Sequence, residues 1–315
     1  MVRIGLDVMG GDYAPDATVS GAILAHQQLS GEDKIVLIGD QARIEELLKQ
    51  KGANSSGFEV VHASEVIEMG DHPSKAYTQK ANSSINIGFQ LLQSGKIDGF
   101  ASAGSTGAMM VGVMYTVKSI PGIIRPTITS PIPKQSGKSS ILLDVGLNAD
   151  CKPDVLYQYG ILGSLYAEHV FGYKNPKVGL MNIGSEGEKG NLLTKAAYQL
   201  MNGTKDFNFI GNIEGHDLFS EDVDVIVCDG FVGNIILKQA EAFHELVKHR
   251  NLEDEYFARF NFENYGGTPV LGINSNVIIG HGISNDIAIK NMILHTKGVI
   301  EANLPVKIKE FFKNE

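Results

Sequence analysis

Short apolar runs recur along the chain and alternate with amphipathic stretches. The runs predict strands at Arg3–Val8, Ile35–Gly39, Phe58–His62, Gly99–Ser102, Ser140–Val145, Lys177–Ile183, Phe207–Gly211, Asp224–Cys228 and Asn276–Ile279. Between them, Ala42–Lys51, Ile85–Ser94, Pro153–Val170 and Asn191–Met201 predict helices. Such alternation predicts an α/β fold with a doubly wound, mainly parallel sheet and flanking helices. Runs such as Ile141–Leu143 and Val225–Val227 are apolar throughout, as expected of strands covered on both faces. The reading is of one catalytic domain over residues 1–315, with enough chain for two lobes around a cleft. Residues 239–265 break the rhythm. They read as one or two helices carrying Phe243, Leu246, Val247, Leu252, Tyr256, Phe257 and Phe260. A dimer or membrane contact and a core-packed helix pair are both open readings of that segment.

Glycine changes the picture first. There are 36 glycines, clustered behind the predicted strands where tight strand-to-helix turns are needed. In doubly wound folds a ligand binds beyond the carboxyl ends of strands, so these loops are where chemistry is sought. The net charge of −9 argues against nucleic-acid binding, which needs a basic footprint. The two cysteines, Cys151 and Cys228, suit a reducing compartment better than a disulfide framework. Residues 1–7 show no leader pattern, and the longest apolar stretch, Ala108–Val117, is too short to span a bilayer. A cytoplasmic protein is expected, with peripheral association at a membrane surface left open.

Five post-strand segments stand out. Asp7–Pro15 carries Gly10 and Gly11, which let backbone approach a ligand, and Asp7 and Asp12, read as orienting a substrate group or capping a helix near Thr18, with capping preferred for Asp12. Gly104, Ser105, Thr106 and Gly107 precede a helix predicted near Thr106. Free N–H groups, a helix dipole and two hydroxyls there suit an anion. Gly184–Asn191 surrounds Lys189 with glycines and reads either as a phosphate cradle or as a solvated loop. Asp229–Asn234 leads into a helix predicted at Ile235–Lys238. His281 stands behind the last strand, before Gly282.

Several familiar constellations are missing. Gly137-Lys138-Ser139 has the ending of a nucleotide loop, but Ile132 replaces its first glycine. His244 and His249 are five residues apart, off the spacing of a helical zinc pair. Cys228 sits in an apolar strand and reads as inert; Cys151 reads as a loop cysteine or an acyl acceptor. No metal and no cofactor is expected. Anion-friendly loops without an evident covalent nucleophile fit chemistry in which phosphate itself attacks a thioester, the protein holding it against the carbonyl.

At these residues the chain resembles the phosphate acyltransferases of bacterial phospholipid synthesis. The matching stretches are Leu6–Asp12 with Ala14-Pro15, Ser102–Ala108, Gly122–Pro126, Asp144–Asp150, Gly184–Asn191, Asp229–Lys238, Tyr265–Gly267 and His281-Gly282 with Ser284. The resemblance implies transfer of an acyl group from acyl carrier protein to inorganic phosphate. It also implies a fold similar to phosphate acetyltransferases and isopropylmalate dehydrogenases, a homodimer, peripheral membrane contact and a downstream glycerol-3-phosphate acyltransferase. On this reading Gly104–Gly107 hold phosphate. Lys189 neutralises charge with Asn191 assisting, and Asp229, Asn234 and His281 line the site. Gly10, Gly11, Asp12, Asn148 and Asp150 contact substrate. Two departures stand out. The family's basic run before Ser83-Ser84 is reduced to Lys80 within Thr78–Asn82, and Ser105 stands where asparagine is usual. The acidic chain must still dock an acidic carrier, and Lys248-His249-Arg250, with Lys238 earlier in the segment, is the candidate basic cluster. Three alternatives remain: a short-chain phosphate acetyltransferase using coenzyme A, a metal-dependent dehydrogenase on the related fold, and a scaffold that binds acyl chains or membrane without turnover.

Overall fold

Apolar runs become strands, and most segments between them become helices. The computed structural model describes residues 1–54, 57–252 and 254–313. Contacts divide the chain into two units: Met1–Ser119 with Phe262–Pro305, and Ile120–Asn261 with Val306–Glu315. The first unit opens with β1 (Arg3–Asp7), α1 (Asp16–His26), β2 (Lys34–Gly39), α2 (Gln41–Gln50) and β3 (Phe58–His62). It continues through α3 (Pro73–Gln79), α4 (Ser84–Gln93), β4 (Gly99–Ser102) and α5 (Thr106–Gly112), which runs into a π-helical turn at Val113–Val117. The second unit supplies β5 (Thr127–Pro133), β6 (Ser139–Leu143), α6 (Pro153–His169), β7 (Lys177–Met181), α7 (Leu192–Met201) and β8 (Asn208–Ile213). It then adds β9 (Val225–Val227), α8 (Gly230–His249) and α9 (Glu255–Ala258). The chain returns to the first unit for β10 (Thr268–Leu271), β11 (Asn276–Ile279) and α10 (Asp286–Glu301), and closes with α11 (Leu304–Lys313).

In the first unit the strand order is β3-β2-β1-β4-β11-β10, parallel except for the β10–β11 pair. The chain lays down β2 and β3 on one side of β1 and then β4 on the other. That reversal is the switch point at which doubly wound sheets bind ligands. Leu6 pairs with Ala101 and Ile279 with Ser102, so the carboxyl ends of β1, β4 and β11 lie side by side. Ile4, Leu6, Ile35, Leu37, Ile38 and Phe100 are fully buried, which explains why these strands are apolar throughout. α1 packs closely on α10 because Gly21 has no side chain: a Cβ there would lie 2.7 Å from the Asp286 carbonyl oxygen.

The second unit's order is β5-β6-β9-β7-β8, with only β5–β6 antiparallel. Its core gathers Leu142, Ile226, Ile132, Val145 and Val223. Lys134 is buried and reaches Asp224 at 2.7 Å, and Arg259 donates to the carbonyls of Lys134 (2.8 Å), Gly137 (2.5 Å) and Lys138 (2.6 Å). That guanidinium ties the end of α9 to the β5–β6 hairpin.

Several expectations shift. The helix expected at Ile235–Lys238 begins at Gly230 and runs to His249. Within residues 239–265, Tyr256 and Phe260 join Phe219 in an aromatic cluster, with Phe219–Phe260 centroids 5.7 Å apart and Tyr256–Phe260 5.5 Å apart. Phe243 and Leu246 on α8 stay exposed, at 56% and 54%. The segment is therefore partly packed, with Tyr256 and Phe260 half-buried, and partly open face; Glu253 lies outside the described residues. β5 and β10 lie outside the predicted strands; Pro131, Pro133 and Pro269 interrupt their apolar pattern. Asp12 does not cap α1: the cap position is Pro15, which has no side chain able to accept. Among the described residues, no helix is long and apolar enough to cross a membrane.

Candidate active site

Three loops of the first unit converge at the switch point. The loop after β1 joins the loop after β11 through the Asp12 N–H, which donates to the Gly282 carbonyl at 2.7 Å. The loop after β11 joins the end of β4 through the Gly280 N–H, which donates to the Ser102 carbonyl at 2.8 Å. The loop after β4 folds back on its own strand, the Gly104 N–H donating to Ser102 Oγ at 3.0 Å. Gly10, Gly11, Asp12, Gly104 and His281 are thereby brought together in one unit. Gly11 has a φ of +112°, which only glycine adopts freely.

The phosphate loop forms as read, with α5 starting at Thr106. Ser105 is buried and its hydroxyl accepts from the Ala108 N–H, so it caps the helix. Thr106 is exposed, and Gly107 packs against Pro73 of α3, where a Cβ would sit 2.5 Å from the proline ring. His281 is half-buried, its ring 4.8 Å from that of Phe262, and its carbonyl accepts from the Ser284 hydroxyl at 2.6 Å. Lys80, the remaining cation of the Thr78–Asn82 stretch, bonds Asp71 at 2.5 Å and the Val66 carbonyl at 2.8 Å. Its ammonium holds the Asp71 carboxyl below the usual carboxylate range. Lys80 is thus engaged within its own loop.

The other predicted residues belong to the second unit, in two places. One is the pair of loops after β6 and β9. Asp144, fully buried, accepts from the N–H groups of Gly146 (3.3 Å), Leu147 (3.2 Å) and Asn148 (2.7 Å). Asn148 gives its side-chain amide to the Pro126 carbonyl (2.8 Å) and to Asp144 (2.9 Å), while its carbonyl accepts from Gly230. Both of its side-chain hydrogens are engaged. Asp229 caps α8 by accepting from Val232, and Asn234 donates to the Val145 carbonyl at 3.2 Å. Asp150 is exposed, and its carbonyl accepts from Arg125 at 3.4 Å. The other place is the loop after β7. There Asn191 caps α7, accepting from Thr194 at 2.9 Å, and Lys189 is exposed with no ion-pair partner among the described residues.

Burial, assisted by the charges of Asp144 and Asp229, pushes the Cys151 thiol up to about 11, and burial drives Cys228 well above its ordinary value. Neither thiol is poised as a nucleophile. No three His, Cys, Asp or Glu side chains among the described residues group to hold a metal ion.

Ser102 and Asp144 carry no role in the sequence reading, and Asp7 carries only that of orienting a substrate group or capping the next helix. The available signal was an aspartate closing an apolar strand just before a glycine-bearing loop, at both Asp7 and Asp144. Ser102 had no such signal, since its partner is 95 positions away.

Comparison with known proteins bears on what these loops serve. A family model described as fatty acid synthesis protein matches residues 2–252. The phosphate acyltransferase of Desulforamulus reducens is 43% identical over 100% of this chain and 98% of its own. That of Dictyoglomus turgidum is 40% identical over 98% of this chain and 97% of its own. A phosphotransacetylase from Streptococcus pyogenes matches with a TM-score of 0.64, covering 95% of this chain and 94% of its own at 16% identity, a likeness of fold alone. Identity of this order over the full length, with the family model, places the chain: it belongs to the phosphate acyltransferase family of fatty acid synthesis proteins.

Proposed function

We propose that this acyltransferase moves a fatty acyl group from the thioester of an acyl carrier protein onto inorganic phosphate. A phosphate oxygen attacks the carbonyl carbon and the carbon–sulfur bond breaks. The electron pair leaves on sulfur, and the thiolate takes up a proton. The products are acyl phosphate and free carrier thiol, feeding glycerol-3-phosphate acylation in phospholipid synthesis. The observation that carries this reading is the convergence of the loops after β1, β4 and β11 at a switch point, beside the start of α5. Phosphate is assigned to Gly104–Gly107, where N–H donors and the start of α5 favour an anion. His281 is assigned to the proton of the departing thiolate, and Lys189, whose ammonium has no ion-pair partner among the described residues, to neutralising charge. Support for direct attack, without an acyl-enzyme, comes from the two raised thiols.

The test is release of carrier thiol from palmitoyl-carrier protein by the purified full chain, with and without phosphate, and hydroxylamine trapping of acyl phosphate. Phosphate-dependent release is expected. Faster turnover of acetyl-coenzyme A would replace this reading with the short-chain one, and binding without turnover would replace it with the scaffold. Lys189→Ala is expected to lower kcat/KM for phosphate by about 10–100-fold, the scale of losing one charge-stabilising group; an unchanged value removes Lys189 from the mechanism. Cys151→Ser is expected to keep turnover within about twofold. A thiol at about 11 is neutral below that pH, so at pH 8 about one molecule in a thousand is thiolate. Iodoacetamide should therefore label Cys151 slowly at pH 8 and faster as pH approaches 11. Rapid labelling at pH 8 together with an inactive serine variant would restore the covalent route.

Peripheral membrane contact and homodimerisation belong to the same proposal. Their support is the exposed apolar face of α8, with Phe231, Ile235, Phe243 and Leu246, next to the basic Lys248–Arg250 cluster. Vesicle sedimentation and light scattering test them separately.

A further inference from the structure

Asp7 is 1% exposed and takes no part in the chemistry assigned above, yet the loops of the first unit are tied together through its carboxylate. Oδ1 accepts from the Met9 N–H at 3.1 Å, and Oδ2 accepts from the Ser102 hydroxyl at 2.7 Å. Burial raises its pKa, and these donors offset part of the rise. It forms no ion pair with any described cation. The Ser102 hydroxyl has a single proton, and that proton is committed to Asp7. The lone pairs of Ser102 Oγ therefore face Gly104, whose N–H donates to them at 3.0 Å. Gly10 closes the arrangement: a Cβ on it would lie 2.7 Å from the Gly104 nitrogen and 2.9 Å from Ser102 Oγ.

We infer that Asp7 and Ser102 are positioning residues, a buried relay from Asp7 through Ser102 to the Gly104 N–H that sets the Met9–Gly11 loop against the Ala103–Gly107 loop and thereby fixes the affinity for phosphate. The inference rests on the assignment of phosphate to Gly104–Gly107. Neither side chain touches substrate. Both act through the backbone of the loops, which separates their effect from that of a group at the reacting atoms.

The experiment compares wild type with Ser102→Ala and Asp7→Asn in two readouts: steady-state kinetics, and hydrogen exchange of the Gly104 amide in the protein without substrate. Ser102→Ala is expected to speed Gly104 exchange about tenfold and to raise the KM for phosphate about tenfold, the scale of one hydrogen bond. The kcat and the KM for the acyl carrier should stay within about twofold. Asp7→Asn keeps one acceptor oxygen where two donors converge, and is expected to move the same two quantities in the same direction. A merely structural role would lower the melting temperature and leave the phosphate KM alone, so that pattern in either folded variant overturns the inference. So does wild-type exchange of the Gly104 amide in both variants. If wild type shows no phosphate-dependent turnover, the proposed reaction falls, and the exchange measurement still decides whether the relay exists.

Discussion

Gly10→Ala is expected to lower kcat/KM for phosphate by at least about 100-fold, the scale on which a misplacement of about 1 Å acts in a catalytic site. The new methyl would meet Asp7 Oδ2, the Gly104 nitrogen at 2.7 Å and Ser102 Oγ at 2.9 Å. Asp7 is buried and held by the Met9 N–H and the Ser102 hydroxyl, and Gly104 meets the methyl with backbone, so neither neighbour yields easily. The loop after β4 must move instead, taking Ser105–Gly107 with it. Gly10 is not among the glycines with positive φ, so the cost is crowding rather than backbone strain. Gly11 is the converse case. Its φ of +112° penalises alanine, although the nearest atom to a Cβ there is 3.3 Å away. Kinetics on a variant shown by circular dichroism to be folded would check the expectation. Wild-type phosphate kinetics in Gly10→Ala would remove these loops from phosphate binding.

Asp144→Ala is expected to destabilise the second unit by about 3–5 kcal/mol, the usual cost of removing one partner from a buried, charged hydrogen-bond set. The lost carboxylate leaves the N–H groups of Gly146, Leu147 and Asn148 and the side-chain amide of Asn148 without their acceptor. Water cannot readily replace it, because Asp144 is fully buried. A single transition in denaturant should move to lower midpoint with an unchanged slope, and Tm should fall by roughly 10 °C. Asp144→Asn keeps one acceptor oxygen and should lose less than half as much. Equal stability of all three proteins would show that the loop does not depend on Asp144.

The family and its reaction were legible because short motifs kept their order and spacing along the whole chain. The sheet was legible for a different reason. A continuous run such as Ile35–Ile38 or Val225–Val227 has no polar face, so only a strand covered on both sides accommodates it. Pro131, Pro133 and Pro269 hid β5 and β10, because proline removes a ladder donor and reads as a break.

The roles of individual polar residues were not legible. Asn148, Asn191, Asp229 and Asn234 stand behind strands, where site residues belong, and on sequence they look alike. In the folded chain Asn191 and Asp229 cap helices, Asn234 donates to the Val145 carbonyl, and Asn148 donates to the Pro126 carbonyl and the Asp144 carboxylate. Each of these side chains has few donors and acceptors, and folding decides which neighbours take them. Asp7 and Ser102 show the same limit from the other side: they meet only because β1 and β4 pair with Leu6 opposite Ala101. Residue type and spacing determined which segments become strands and where glycine loops follow them, since those depend on the local chain. Which buried group orders each loop, and which polar side chain stays free for a ligand, was decided by strand register, because register alone brings together partners 95 positions apart.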